Sequence, residues 1–314
     1  MYSRVFGRLM ELEDILSANR EGTDLDMVNR NAGIGPVKVR PELIEVLEKA
    51  LEYAEKSNGF FDPTVGSLVK LWGFGTEENR IPGEEEILQA LKTINYREVE
   101  INNAEGTVFL KQTGMALDLG AIAKGYAADE AVRLLTGEAV ERGIIDLGGN
   151  IFAFGERKVK KTIIGFLKDL IVLNSGKDKN EESFWRIGIQ DPREGRGNYI
   201  GILKVKNKTV VTSGIYERFF EEGGRRYHHI LSTENGFPVE NNMLSVTITA
   251  DNSIDADALS TAAFILGWEQ GQELIASVNG AGGIFVFDDL TVRLTTGLEN
   301  DFMLTAMEYQ IDKQ

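Results

Sequence analysis

The sequence predicts an α+β fold, with mixed but largely antiparallel sheets and flanking helices. Three observations predict it. Helical periodicity is concentrated in the opening third, strand-length apolar runs joined mostly by short turns fill much of the remainder, and no GxGxxG follows a strand. A doubly wound nucleotide-binding fold is therefore unsupported. The 314 residues can bury one large core or two ordinary ones. We expect a mainly helical part over residues 1–97 and an α+β part over residues 98–314, together forming one compact unit.

Leu9, Leu12 and Leu16, then Leu43, Val46, Leu47 and Leu51, recur every three or four residues, as in helices with one buried face. Pro41 suits the first turn of the second helix and Asn58-Gly59 its C-terminal stop. A third, short helix is expected over about 84–94, after the Pro82-Gly83 turn. From about residue 98 the pattern shortens into strands: VEIN and TVFLKQ, a hairpin turning at Asn103 and Gly106, then MALDL. DLGAIAKGYAADEAVRLL passes from strand to helix, and GIIDL and NIFAFG are joined by Gly148-Gly149, a turn few other residues could make. Residues 156–183, basic and polar around a short apolar core, read as an excursion or flexible hairpin. FWRIGIQ, YIGILKV, TVVTS, YHHIL and SVTIT are strands, a buried helix covers about 255–268, and GIFVFDD with VRLTT forms a closing hairpin. No tandem repeat at a solenoid period is present.

Hydrophobic residues at 42% and charged residues at 26% are ordinary for a globular chain. No apolar stretch approaches the roughly 18 residues of a membrane span, and no secretion leader is visible at the start. Thirty-four basic against 49 acidic residues leave a net charge of -15, which argues against nucleic acid as a partner. A phosphate ligand would need local help from a cation, a helix N-terminus or backbone amides. The absence of cysteine excludes disulfides, zinc-thiolate sites and thiol nucleophiles.

Four segments carry candidate chemistry. Asp118 to Gly125 sets an acid at a strand end, a glycine in the turn and Lys124 in the first helical turn; this suits an anionic ligand, and equally a helix capped by Asp118. Asp255, Asp257, Ser260 and Thr261 lie in an otherwise apolar helix, where Asp257 and Thr261, four apart, share a face and can converge on one hard cation such as magnesium; the alternative is that Asp255 or Asp257 caps the helix. His228 and His229 are adjacent in a strand and point to opposite faces, so at most one serves a given site; His229 could take a proton from an attacking hydroxyl, or be structural. The aromatics and glycines of NGFFDP and LWGFG could stack on a ring system or simply pack a core.

Taken in order, LSANREGTDLDMVN, SNGFFDPTVGSLVKLWGFG, ALDLGAIAKGYAAD, IIDLGGNI, WRIGIQDP, VVTSGIYERFF, YHHIL, GFPVENN and ADALSTAAFILG resemble the ApbE family of FAD:protein FMN transferases over nearly the whole chain. The resemblance implies an ApbE-like, T-fold-related architecture. It also implies a magnesium-dependent cleavage of FAD that joins FMN through its phosphate to a threonine of an acceptor protein and releases AMP. On this resemblance the flavin contacts fall on Asn19, Phe60, Phe61, Asp62, Asp118, Lys124 and Leu231, the metal ligands on Ala121 (through its carbonyl), Asp257, Ser260 and Thr261, and the base on His229. The helical part would then carry much of the flavin site and the α+β part the metal site. The family's place at the outer face of the bacterial cytoplasmic membrane is implied if a leader has been removed, and a cytoplasmic place stays open.

Three features depart from the family pattern. Ser232-Thr233 and Asn235-Gly236 follow the histidine where Asp-Pro and Thr-Gly are usual, Asn19 stands where some members have an aromatic residue, and the family's N-terminal Met-Gly-Thr strand and lipidated leader are missing. The smaller Asn19 leaves room for metal or water, so an FAD pyrophosphatase is the first alternative. A flavin-binding protein without catalysis is the second.

Overall fold

A computed structural model of the chain describes residues 2–157 and 183–312. The expected excursion at 156–183 lies, apart from its ends, outside the described residues. Those ends meet: the Arg157 N–H donates to the Ser183 carbonyl at 3.1 Å.

Among the described residues there are seven α-helices: α1 (Tyr2–Leu16), α2 (Asp24–Arg30), α3 (Pro41–Lys56), α4 (Gly66–Trp72), α5 (Glu84–Leu91), α6 (Ala123–Gly137) and α7 (Ser253–Ala276). Pro41 is in the first turn of α3, whose buried face runs through Leu43, Val46, Leu47, Ala50 and Tyr53. Sequence periodicity missed α2 and α4 because each is only seven residues long. Thr23 starts α2 by accepting a hydrogen bond from Asp26 N–H.

The core is a seven-stranded sheet in the order β15-β13-β12-β11-β8-β5-β4. Its strands are β4 (Gly143–Asp146), β5 (Asn150–Phe154), β8 (Lys208–Gly214), β11 (Met243–Ala250), β12 (Gly282–Phe287), β13 (Thr291–Leu294) and β15 (Gln310–Ile311). All pairs are antiparallel except β13 with β15. Both faces are covered, which explains the unbroken apolar run in β12. Phe285 and Phe287 join the core that contains Leu259 and Phe264 of α7. Ile284 and Val286 join a second core with Ile187 and Leu203. Those two come from the three-stranded sheet β14-β7-β6 (Phe302–Leu304, Tyr199–Val205, Trp185–Gln190). A small sheet, β1-β3-β2 (Val37–Lys38, Thr107–Leu110, Val99–Asn102), and the hairpin of β9 (Phe219–Glu222) with β10 (Arg225–His228) complete the fold.

The α+β class with largely antiparallel sheets holds, and three local expectations change. MALDL is no strand: Ala116 makes one isolated bridge to Val65, Leu117 N–H donates to the Asn29 side chain at 2.7 Å and Asp118 N–H to the Pro63 carbonyl at 2.8 Å. Its backbone is thus satisfied without a ladder. The helix expected to end near Trp268 runs on to Ala276 across a kink at Gly267, whose φ of 80° suits only glycine. The β12–β13 hairpin does not close the chain, since β14 and β15 follow it.

Candidate functional site

A cavity of about 1180 Å³ opens where the first turns of α6 and α7, the 60–65 loop, the end of α1, the β8–β9 turn and the β6–β7 loop converge. Asn19, Phe60, Phe61, Asp62, Asp118, Ala121, Lys124, His229, Leu231, Asp257 and Thr261 all line it. Segments as distant in sequence as Leu16 and Ile265 therefore meet in one place.

The floor is made by two helices that satisfy each other's first turns. Gly125 N–H of α6 donates to Asp257 Oδ2 at 2.9 Å. In return, Asp129 of α6 accepts from the Ser253 and Ile254 N–H groups of α7 at 2.8 and 2.9 Å. Asp255, one of the two candidate caps, instead accepts from Tyr53 Oη at 2.8 Å, so the cap on α7 comes from another helix. Only glycine fits at 125: a Cβ there would stand 2.2 Å from the Ser253 carbonyl oxygen.

Asp257 is 3% exposed, and burial raises its carboxyl above the ordinary range while nearby Lys124 acts in the opposite direction. Thr261, one turn on, presents its hydroxyl to the same space and is 3.1 Å from Ser213 Oγ. Ser260 does not reach the cavity. Its hydroxyl is fully buried, donating to the Asp257 carbonyl at 2.9 Å and bonded to Ser213 Oγ at 2.8 Å, so it braces the floor rather than facing a cation. The helical repeat explains this: 257 and 261 share a face, whereas 260 is turned toward β8.

Asp118 is not the cap of α6. The cap position is Ile122, and Asp118 Oδ1 instead accepts from Gly120 N–H at 2.8 Å, shaping the turn that leads to Lys124. Desolvation raises the Asp118 carboxyl, against the influence of Arg218. Asp62 spends one oxygen on its own loop and the other on a distant segment: Oδ1 accepts from Thr64 N–H and Oγ1 at 2.8 and 2.6 Å, and Oδ2 from Tyr96 N–H at 3.0 Å. Phe61 packs edge-on to Tyr53, Phe60 forms part of the wall, Leu231 is buried beneath it, and Asn19 is exposed on the rim. Of the LWGFG aromatics, Trp72 is core, fully buried and stacked on Phe74 at 5.5 Å, while Phe74 reaches the cavity edge.

The expected strand YHHIL is cut short: β10 ends at His228 and His229 stands in the bend after it, yet the two histidines do separate. His228 faces away, with Nδ1 accepting from Ile230 N–H at 3.3 Å and Nε2 donating to the Val239 carbonyl at 3.1 Å. His229 faces the cavity. Its Nδ1 lies 3.2 Å from the Arg218 carbonyl, which also accepts the His229 backbone N–H at 3.1 Å. Burial lowers the His229 imidazole to about 4, so the ring is neutral at pH 7. A proton held on Nδ1 by that carbonyl leaves Nε2 as the basic nitrogen. The unusual residues after it form a tight turn, with Gly236 N–H on the Ser232 carbonyl at 2.9 Å, and Thr233 Oγ1 ties that turn to the Gly59 carbonyl at 3.0 Å.

Sequence reasoning missed Tyr216, Glu217 and Arg218 on the β8–β9 turn and Arg196 on the β6–β7 loop, all of which line the cavity. Desolvation raises Glu217, and Lys124, Asp257, Arg218 and Arg196 all act on it electrostatically. The motif VVTSGIYERFF contains the first three. Only the fold brings Arg196 alongside them.

A hard divalent cation fits these donors. No group of three or more His, Cys, Asp or Glu side chains able to hold a metal occurs among the described residues, so side chains alone do not form a closed cage. Asp257 keeps Oδ1 without a hydrogen-bond donor, and Thr261 offers a hydroxyl beside it. The Gly125 N–H that would ordinarily close on the Ala121 carbonyl goes to Asp257 instead, which leaves that carbonyl open. Few protein oxygens, with positions left for water and phosphate, is the pattern magnesium favours.

The chain is similar to known flavin transferases over most of its length. The chain is 42% identical to the FAD:protein FMN transferase of Treponema pallidum over 94% of its own length and 79% of that protein's. It is 33% identical to an FAD:protein FMN transferase of Klebsiella pneumoniae over 98% and 89%. The crystal structure of the ApbE protein from Thermotoga maritima superposes with a TM-score of 0.78 at 30% identity, covering 95% of this chain and 91% of that one. The apo flavinyl transferase ApbE of Pseudomonas stutzeri superposes with a TM-score of 0.76 at 26% identity, covering 98% and 90%. Residues 2–285 match the ApbE family model, and the chain belongs to the ApbE family.

Proposed function

We propose that this chain transfers the FMN half of FAD to a threonine hydroxyl of an acceptor protein, with magnesium bound at Asp257, Thr261 and the Ala121 carbonyl. The observation that carries the reading is the presence, in one cavity, of a neutral histidine with its basic Nε2 available, Lys124 without an ion pair to any described residue, and the cation-suited oxygens of α7.

Phe60, Phe61 and Leu231 supply an apolar wall for the isoalloxazine ring, while Asp118 and Asn19 offer polar contacts at its edge. Lys124 pairs with phosphate charge that the acidic protein would otherwise repel. When bound, magnesium supplies charge neutralisation at the pyrophosphate. His229 Nε2 accepts the proton of the acceptor hydroxyl as its oxygen bonds to the flavin-side phosphorus. The bond from that phosphorus to the bridging oxygen breaks, and AMP departs with the electron pair. Hydrolysis to FMN and AMP is the second reading, favoured by the small, exposed Asn19, which leaves the rim open to water.

Incubation with FAD and magnesium, with and without an acceptor protein carrying a target threonine, tests both readings. Flavin covalently attached to the acceptor establishes transfer, and free FMN with no labelled acceptor establishes hydrolysis. A metal-independent or absent release of AMP refutes the chemistry.

A further inference from the structure

Part of the cavity lining comes from none of the expected flavin or metal residues. Ile151, Ile187, Ile189 and Val210 contribute from β5, β6 and β8, together with Tyr199 of β7. The β6–β7 loop, Asp191 to Asn198, also lines the cavity, through Pro192 to Gly197. The loop is anchored at several points. The Gln190 side-chain amide donates to the carbonyls of Asp191, Glu194 and Gly195 at 3.0–3.1 Å. Asp191 N–H donates to the Asn198 carbonyl at 2.9 Å, and Asp191 Oδ1 accepts from Tyr309 Oη at 2.7 Å.

Two arginines leave this loop in different circumstances. Arg193 is committed to structure, since its Nε donates to Tyr309 Oη at 3.0 Å and its guanidinium lies over the Tyr309 ring. Arg196, between Gly195 and Gly197, makes no side-chain hydrogen bond or ion pair with a described residue, yet it lines the cavity and lies within electrostatic reach of Glu217. The same Glu217 is also under the influence of Lys124 and Asp257. A guanidinium held by a braced loop without a described partner, in the same cavity as Lys124 and Asp257, is placed for a phosphate bound there.

We propose that Arg196 contacts the phosphate of the departing adenylate, so that it binds AMP and offsets the charge that gathers on that phosphate as the pyrophosphate breaks. The proposal rests on the FAD-cleaving reading above. With the flavin against Phe60 and Leu231 and the pyrophosphate at Lys124 and Asp257, the adenosine half lies toward Ile151, Ile187 and Ile189 and its phosphate meets Arg196. Breaking the bridging bond shifts negative charge onto the AMP oxygen, and a planar, permanently charged guanidinium can meet it with two N–H donors.

The test compares wild type with R196A and R196K, measuring AMP binding and FMN binding by calorimetry in magnesium, and AMP release from FAD. Arg196 is exposed and bonded to no described side chain, so both variants should fold. Loss of one charge-assisted contact predicts about ten- to a hundred-fold weaker AMP binding and a similar fall in kcat for R196A, with FMN binding unchanged and partial recovery in R196K. AMP binding equal to wild type, or FMN binding weakened as much as AMP binding, overturns the proposal. A wild type that releases no AMP from FAD overturns the underlying reading. A wild type that does so beside an unaltered R196A overturns this inference alone.

Discussion

Replacing Gly125 with alanine tests whether the two floor helices must touch for the site to work. The added Cβ would stand 2.2 Å from the Ser253 carbonyl oxygen, 2.6 Å from its carbon and 2.7 Å from Ile254 Cα, all backbone atoms that cannot rotate aside. Carbon–oxygen contacts settle near 3.3 Å or beyond, so α6 and α7 must separate by about 1 Å. Overpacking of this kind costs about 1–3 kcal/mol. The displacement also stretches the Gly125–Asp257 bond, a hydrogen bond to a carboxylate worth about 1.5–3 kcal/mol. The better helix propensity of alanine returns about 1 kcal/mol. The net loss of roughly 2–5 kcal/mol lowers Tm by roughly 4–10 °C in a chain of this size. Because Lys124 and Asp257 move apart together, FAD turnover should fall about a hundred-fold, the cost of an ångström of misplacement. Differential scanning calorimetry and AMP release measure the two effects. Gly137→Ala, at the far end of the same helix with nothing within 4 Å of the new Cβ, is the control and should leave turnover unchanged and Tm no lower than wild type's. A Gly125→Ala protein with wild-type Tm and turnover would refute the reasoning.

Asp257→Ala should abolish the dependence of turnover on magnesium while FMN still binds; a titration in which the variant saturates with magnesium as wild type does would count against the cation site. His229→Ala should cut the rate by about 10²–10⁴ with FAD affinity, read from flavin fluorescence, largely kept; equal rates in variant and wild type would remove it as the base. His228 bears on stability instead, because burial lowers its pKa from 6.5 to about 4. The native state then binds fewer protons than the unfolded chain between those values, so the stabilisation is present above pH 6.5 and disappears as pH falls through about 4. It amounts to roughly 3 kcal/mol. Because His229 carries a like shift, His228→Phe should remove about half of the histidine-linked decline of denaturant stability from pH 6.5 to 4.5, and an equally steep decline in the variant would assign the effect elsewhere.

Much of the fold could be read directly because its signals are local. Pro41 and the Leu43–Leu51 repeat mark α3, and the turn at Asn103 and Gly106 marks the β2–β3 hairpin. The short helices escaped because seven residues carry too little periodicity, and MALDL because what decides it is distant: Leu117 N–H is satisfied by Asn29, 88 residues away. The same division runs through the site. Asp257 and Thr261 were legible as a pair because helical spacing places them on one face. Ser260, indistinguishable from them in sequence, lies off that face and is buried between the Asp257 carbonyl and Ser213 of β8. The Asp62 carboxylate is absorbed by Thr64 and Tyr96, and the cap on α7 is Asp129 rather than either nearby aspartate. Arg196 carries no sequence signal at all, since what sets it apart from Arg193 is the lack of a partner in three dimensions.

The exchange of amides and carboxylates between α6 and α7 has a thermodynamic consequence. Sliding either helix by one residue would strip both acids of their donors and leave buried charge uncompensated, so intermediate alignments are disfavoured and the pair is held in a single register. Catalytic geometry and global folding thereby draw on one cooperative unit. Inactivation on heating should track the main unfolding transition, with no earlier local melting at the active centre.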